Sequence, residues 1–195
     1  MTFALVSANE YSHMWRMSEV LDSALGPRTR AATDDHLITL VELLFFAYRD
    51  FTAEADEILA EYKLGRAHHR VLHFVRRHPG LRVTDLLSIL KITKQSLGRV
   101  LNELIDGGWI MSRADADDGR ARRLTMTARG ETLALRLARH QVEQVSAALG
   151  SNVTVSGRSE DPREDPVRRF LFAMIAEDER DRVRALVTAT DKSGR

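Results

Sequence analysis

LRVTDLLSILKITKQSLGRVLNEL, residues 81–104, is the stretch whose reading decides the fold. At helical spacing it divides into two short helices, Val83–Leu90 and Lys94–Asp106, meeting across a tight turn at Lys91-Ile92. Leu86, Leu87 and Leu90 of the first helix can face Ile92, Leu97, Val100, Leu101 and Leu104. The last four of these have the i, i+3, i+4, i+7 spacing of a one-sided helix. Thr93 stands where an N-cap belongs, its hydroxyl able to accept a backbone N–H. Gly107-Gly108 stops the second helix.

Working outward, Trp109–Ser112 and Arg123–Met126 read as two short strands around a polar turn, Ala114–Arg122, that holds Asp117-Asp118-Gly119. Thr127 then caps a long helix reaching about Leu149. On the other side, Gly65–Arg77 is a helix ended by His78-Pro79-Gly80, because proline cannot continue a helix and glycine tolerates left-handed geometry. Further out, a helix begins at Thr33 or Asp34. Leu37, Val41, Leu44, Phe45 and Tyr48 recur along it at helical spacing, while Ile38, Leu40, Leu43 and Phe46 fill its other faces. A helix apolar on most sides is buried, and in a chain of 195 residues a partner subunit is one way to bury it. Thr52–Tyr62 reads as a second, short helix. Residues 1–33 form an extension with a short helix over Tyr11–Leu25, Ser151–Pro166 is a polar linker, and Val167–Val187 is a last helical region.

The expected architecture is mainly α with a small β-hairpin: a winged helix-turn-helix with N- and C-terminal dimerisation helices. Its expected parts are an extension (1–33), N-terminal dimerisation helices (34–64), a DNA-binding lobe (65–130) and C-terminal dimerisation helices (131–195) with the linker at 151–166.

Charge agrees with a polyanion partner. The whole chain carries 29 Lys and Arg against 28 Asp and Glu, yet residues 65–130 hold 13 basic and 6 acidic side chains. A basic central module flanked by acidic segments suits double-stranded DNA, although a basic surface without a partner gives the same count. Cysteine is absent, which excludes disulfides, thiolate metal sites and thiol redox sensing and fits a cytoplasmic location. No run approaches the ~18 apolar residues of a membrane helix, and no secretory signal opens the sequence, so no membrane partner is expected.

Lys94, Gln95, Ser96 and Arg99 occupy the polar face of the second helix, at the end that enters a major groove in a helix-turn-helix. Arg can pair with guanine and Gln with adenine, while Lys and Ser can equally meet phosphates. Alone, such a face is no more than a solvated surface. The turn, the Thr93 cap, the one-sided core and the hairpin together favour DNA. Arg113, Arg120, Arg122 and Arg123 flank the hairpin tip, where arginine can follow the backbone or enter a narrow minor groove. Of the three acids nearby, Asp118 is expected to fix the shape of the tip by bonding wing arginines or backbone N–H groups.

These residues resemble the MarR/SlyA family of winged-helix regulators from about Asp34 to Leu149. Asp118-Gly119-Arg120 is similar to that family's Asp-x-Arg wing motif, and Met126-Thr127-Ala128-Arg129-Gly130 to its Leu-Thr-x-x-Gly junction between strand and helix. Leu104-Ile-Asp-Gly-Gly-Trp-Ile110 is similar to the end of the recognition helix and the next strand. More narrowly, residues 44–51, 65–74 and 92–97 resemble the PetP-type branch. One departure is Arg82, which stands where the family usually has a capping Thr or Ser. The resemblance implies a homodimer on a pseudo-palindromic operator, modulated by a small effector.

Two further groups remain. His68, His69 and His73 cluster on one helix. His69 and His73, four apart, can turn to one side as metal ligands do, which would make a metal- or heme-responsive regulator; they serve equally as surface or dimer-contact histidines. Phe45, Tyr48, Phe74 and Trp109 can line an effector pocket between dimerising helices and the DNA-binding lobe, or simply pack in a core. The sequence requires no cofactor. It carries no nucleophile elbow, phosphate-binding glycine loop, dinucleotide fingerprint or His-Glu-x-x-His, so no enzyme is expected. A winged-helix module that binds protein rather than DNA is the third reading.

Overall fold

The computed structural model describes residues 33–115, 118–119, 121–152 and 166–191. The expected N-terminal extension and most of the expected linker lie outside these. By contact the chain divides into two units, Met1–Asp50 and Phe51–Arg195. The division falls inside one helix, α1 (Thr33–Ala60). The separate helix expected at Thr52–Tyr62 is thus the last part of α1, with no break before it. The reason is chemical: no glycine or proline interrupts residues 33–64, and Ala and Glu fill the stretch after Thr52.

In the first unit, Leu37, Ile38, Val41, Leu43, Phe45, Phe46 and Tyr48 are each about half exposed, Phe45 at 60%. The second unit holds the core. Ala55, Ile58 and Leu59 from the end of α1 are buried together with Val71, Leu72 and Val75 of α2 (Arg66–Arg77). Leu86 and Leu90 of α3 (Val83–Leu90) join them, with Leu97, Val100, Leu101 and Leu104 of α4 (Lys94–Asp106). The turn between α3 and α4 is made by Lys91, which adopts a left-handed conformation (φ 50°) and donates its backbone N–H to Leu87. Thr93 caps α4, accepting the Ser96 backbone N–H at 3.1 Å.

Beyond α4, β2 (Ile110–Ala114) and β3 (Arg122–Met126) form the antiparallel wing, with Ile110 opposite Met126 and Ala114 opposite Arg122. A third strand, β1 (Leu81–Arg82), pairs with β3 on the other side, giving the order β1-β3-β2. The expected hairpin is therefore a three-stranded sheet. Two residues are too few to show strand alternation, so β1 is defined by its partner rather than by its own pattern.

The wing leads into α5 (Ala128–Asn152) through a tight corner. Thr127 caps the helix, accepting the Gly130 N–H at 3.0 Å and donating its hydroxyl to the Gly108 carbonyl at 2.7 Å. Two ion pairs seat α5 on the lobe, Arg76–Glu131 at 2.8 Å and Arg136–Glu61 at 2.7 Å. Leu133, Ala134 and Leu137 are buried under it, whereas Val142 and Val145 are exposed. The expected last helical region is broken in two: α6 (Pro166–Ala173) and α7 (Arg180–Asp191), with a 3₁₀ turn at Glu177–Glu179 between them. Arg180 closes this corner by donating to the carbonyls of Ile175 and of Ala173, the last residue of α6. Among the described residues, no helix is long and apolar enough to cross a membrane.

The corner at Gly130 gives a test of the packing. A methyl group there would collide with the backbone carbonyl of Trp109, which cannot swing aside as a side-chain end would. Gly130→Ala should cost about 3 kcal/mol or more, at the upper end of overpacking penalties, measured by urea unfolding. A loss under ~0.5 kcal/mol would mean the strand and helix do not meet as closely as described.

Candidate nucleic-acid interface

Because α4 buries Leu97, Val100, Leu101 and Leu104, its opposite face is left to solvent. Thr93, Lys94, Gln95, Ser96 and Arg99 are all exposed there. Three of them also have structural partners. The Thr93 hydroxyl lies 2.8 Å from that of Ser96, so the cap and the first turn share one hydrogen-bonded pair. The Arg99 guanidinium, 81% exposed, approaches Glu103 at 3.8 Å, one turn on. Glu103 also meets His68 Nε2 at 2.6 Å. His68 Nδ1 accepts the Gly65 N–H at 3.0 Å, so Nε2 carries the proton of the neutral ring and donates to Glu103. His68 is thereby a brace between the start of α2 and α4.

The wing arginines differ among themselves. Arg113 is exposed on β2. Arg122 folds back on Ser112, donating to its hydroxyl at 3.1 Å and its carbonyl at 3.0 Å. Arg123 points to the body, donating to the Gly80 carbonyl at 3.2 Å and pairing with Asp115 at 3.0 Å. Arg120, expected at the wing tip, lies outside the described residues.

Asp115 is the residue that sequence reasoning missed. Its carboxylate is 1% exposed and accepts Arg82 at 2.7 Å as well as Arg123. The carboxylate expected to hold the wing was Asp118. The Asp118 side chain is exposed and takes part in interactions of its own, and its backbone carbonyl accepts the Ala121 N–H at 2.8 Å at the tip. The register explains the choice: Asp115 follows the last residue of β2, and Arg82 and Arg123 are paired neighbours across β1 and β3. The signal was Arg82 itself. It occupies the N-cap position of α3 without making a side-chain cap, so its guanidinium had to serve elsewhere.

The aromatic residues expected to line an effector pocket fall in both units. Phe45 and Tyr48 lie exposed in the first unit. In the second, Trp109 is buried, with Tyr62 edge-on at 5.1 Å and the Arg129 guanidinium 3.8 Å above its ring. Trp109 is a core residue, not the wall of an open pocket. Phe74 is half-buried between the rings of His73 and His78. A small crevice does occur beside α2, lined by His69, Leu72, His73, Arg76, Ala134 and Ala138. Desolvation lowers both histidines below the ordinary value, His73 to about 4, where the positive charges of His69, Arg77, Arg76 and His78 add to the effect. Among the described residues, no group of three or more His, Asp or Glu side chains gathers as a metal site.

Comparison with known proteins agrees with this geometry. A family model described as "MarR family" matches residues 62–121. The HTH-type transcriptional regulator PetP of Rhodobacter capsulatus is 49% identical over 116 residues, which is 60% of this chain and 70% of that protein. A MarR protein from Peptoclostridium difficile superposes with a TM-score of 0.57 at 17% identity, over 81% of this chain and 94% of its own. A MarR mutant from E. coli complexed with operator DNA superposes with a TM-score of 0.51 at 18% identity, over 73% of this chain and 97% of its own. At such identities the superpositions speak to fold.

Two outcomes follow from the geometry. Asp115→Ala should destabilise the fold by about 2 kcal/mol, the scale of hydrogen bonds to charged groups, and loosen the wing. The readouts are urea unfolding and hydrogen exchange of residues 110–126; unaltered exchange there would deny Asp115 its bracing role. For His73, the unfolded ring takes up a proton near pH 6.5, while the folded one refuses it until about pH 4. The unfolded state therefore binds more protons across that window, and stability falls as pH drops through it. His73→Gln should flatten the decline in Tm between pH 7 and 4. A variant that tracks the wild-type curve would show His73 titrating as in a free chain.

Proposed function

This chain belongs to the MarR family, in its PetP-type branch, and from that premise we propose that it regulates transcription as a homodimer on a pseudo-palindromic DNA operator. The observation that carries the proposal is the set of exposed hydrogen-bonding side chains on the first two turns of α4, Lys94, Gln95, Ser96 and Arg99, beside an arginine-bearing wing. A recognition helix presents its base-reading groups at that end. Gly98 supports the same face. A glycine inside a helix costs about 1 kcal/mol against alanine, and nothing lies within 4 Å of where its Cβ would stand. Packing does not require it, whereas a nucleic-acid backbone approaching the helix would.

The homodimer rests on unspent apolar surface. Leu37, Ile38, Val41, Phe45 and Phe46 on α1 are each near half exposed, as are Val145 on α5 and Phe170, Leu171 and Met174 on α6. On each of these helices, taken by itself, apolar surface of this kind is what an interaction site presents. A two-fold dimer presents two reading helices, which favours half-sites about one helical turn, ~10 base pairs, apart. Modulation by a small effector rests on the family alone.

The test begins with selection of bound duplexes from random DNA. Sedimentation should give a species of about twice 22.0 kDa. On the selected site, Arg99→Ala should cost ~1–3 kcal/mol and relax preference at one position per half-site. Binding should also weaken steeply with salt, which an apolar protein–protein contact would not. A salt-insensitive partner and no selected motif would point to a protein-binding module instead. Full affinity in Arg99→Ala would mean that α4 does not read bases through this residue.

A further inference from the structure

The C-terminal corner between α6 and α7 rests on the helix-turn-helix itself, 94 residues away in sequence. Arg182 on α7 donates to the carbonyl of Ser88, one of the last four carbonyls of α3, at 3.2 Å. Glu179, in the 3₁₀ turn, pairs with Lys91 at 3.2 Å and is itself approached by Arg182 at 3.6 Å. Its side chain is only 22% exposed although the turn is on the surface. These contacts fall on the left-handed residue that joins α3 to α4, two positions before the Thr93 cap. They also fit one another. A guanidinium at the C-terminal end of a helix satisfies an orphan carbonyl and the negative end of the dipole. A carboxylate beside it takes the one lysine of the turn.

Glu177, Asp178 and Glu179 are consecutive at the corner, Arg180, Arg182 and Arg184 follow, and Asp181 is paired with Arg184 at 2.7 Å, so Glu179 is the carboxylate that meets the lobe. A polyanion approaching the N-terminal end of α4 would compete with Glu179 for Lys91 at distances inside the Debye length of ~10 Å at 0.1 M salt. We propose that this corner is an autoinhibitory clasp, an internal mimic of the DNA backbone that occupies the helix-turn-helix turn and lowers affinity until it is displaced. The proposal deepens the DNA-binding reading above and rests on it. It makes the C-terminal helices a governor of affinity, so that anything drawing α6 and α7 away from Lys91 would tighten DNA binding.

The two contacts can be separated by the sign of the charge they remove. Glu179→Gln should raise affinity for the selected duplex about threefold per protomer, and so about tenfold for a dimer releasing two clasps, the scale of exposed ion pairs. Removal of a negative charge alone would also help DNA binding, so Arg182→Ala is the decisive variant. It deletes a positive charge and yet should raise affinity, because it undoes the dock on Ser88. In a Lys91→Gln background, Glu179→Gln should have no further effect. Far-UV circular dichroism checks that each variant folds, and the comparison of Glu179→Gln with and without Lys91→Gln decides if Arg182→Ala does not fold. Weaker or unchanged binding by Arg182→Ala, or an equal gain from Glu179→Gln with and without Lys91, would overturn the clasp while leaving the regulator intact. Failure of every variant and of the wild type to bind duplex DNA would overturn both.

Discussion

An eight-residue helix has no standing of its own in water, because nucleating it costs more than so few backbone hydrogen bonds return. The first helix of the helix-turn-helix exists only because Leu86 and Leu90 are sealed against its neighbours, and the second because Leu97, Val100, Leu101 and Leu104 are sealed behind it. One core serves both, reaching Leu59 of α1, Leu72 of α2 and Leu124 of β3. Magnitudes decide which forces build the lobe. Each fully buried leucine contributes about 1.5–3 kcal/mol, while an exposed ion pair contributes ~0–1 kcal/mol. The polar face of α4 owes its rigidity to the apolar residues at its back. Its own side chains are left to meet a partner.

Charge, by contrast, directs rather than builds. Of the wing arginines, Arg123 is committed to Asp115 and Gly80, and Arg122 to Ser112. Arg82 is committed to Asp115 as well. Lys91 is held by Glu179, and Arg99 shares Glu103 with His68. A count of basic residues in the central module therefore overstates the charge offered outward. What reaches solvent is selected by the carboxylates, and three of them, Glu103, Asp115 and Glu179, each sit between two nitrogen-bearing side chains. Asp115 differs from the others in being buried, so it acts on the shape of the wing rather than on its field.

The two helices of the motif were legible to the residue, Val83–Leu90 and Lys94–Asp106, because periodicity, the Thr93 cap and the Gly107-Gly108 stop all point to the same ends. The wing was legible in outline for the same reason, since turn residues punctuate it. What escaped lacked local punctuation. Strand β1 is two residues held by partners 43 and 41 positions on. Helix α1 runs through a point where a break was expected, and the break after Ala173 comes without glycine or proline. Asp115 and Asp118 are equivalent in composition, and only the register of three strands turns one inward. The apolar surface of α1 was legible from its pattern, and the half-exposed Leu37, Val41 and Phe45 match it.

The corner at Thr127 has a mechanical consequence. It welds β3, and with it the wing, to the start of α5, with a threonine hydroxyl bridging Gly108 and Gly130 and no room for even a methyl group. Helix α5 has 25 residues, and at 1.5 Å per residue it is a rod about 37 Å long. A rod clamped at its far end turns small angles into large displacements: a swing of ~10° there carries the near end about 6 Å. That is close to two base-pair steps of 3.4 Å. A lever of this length turns a small rotation into a displacement on that scale without any rearrangement inside the lobe.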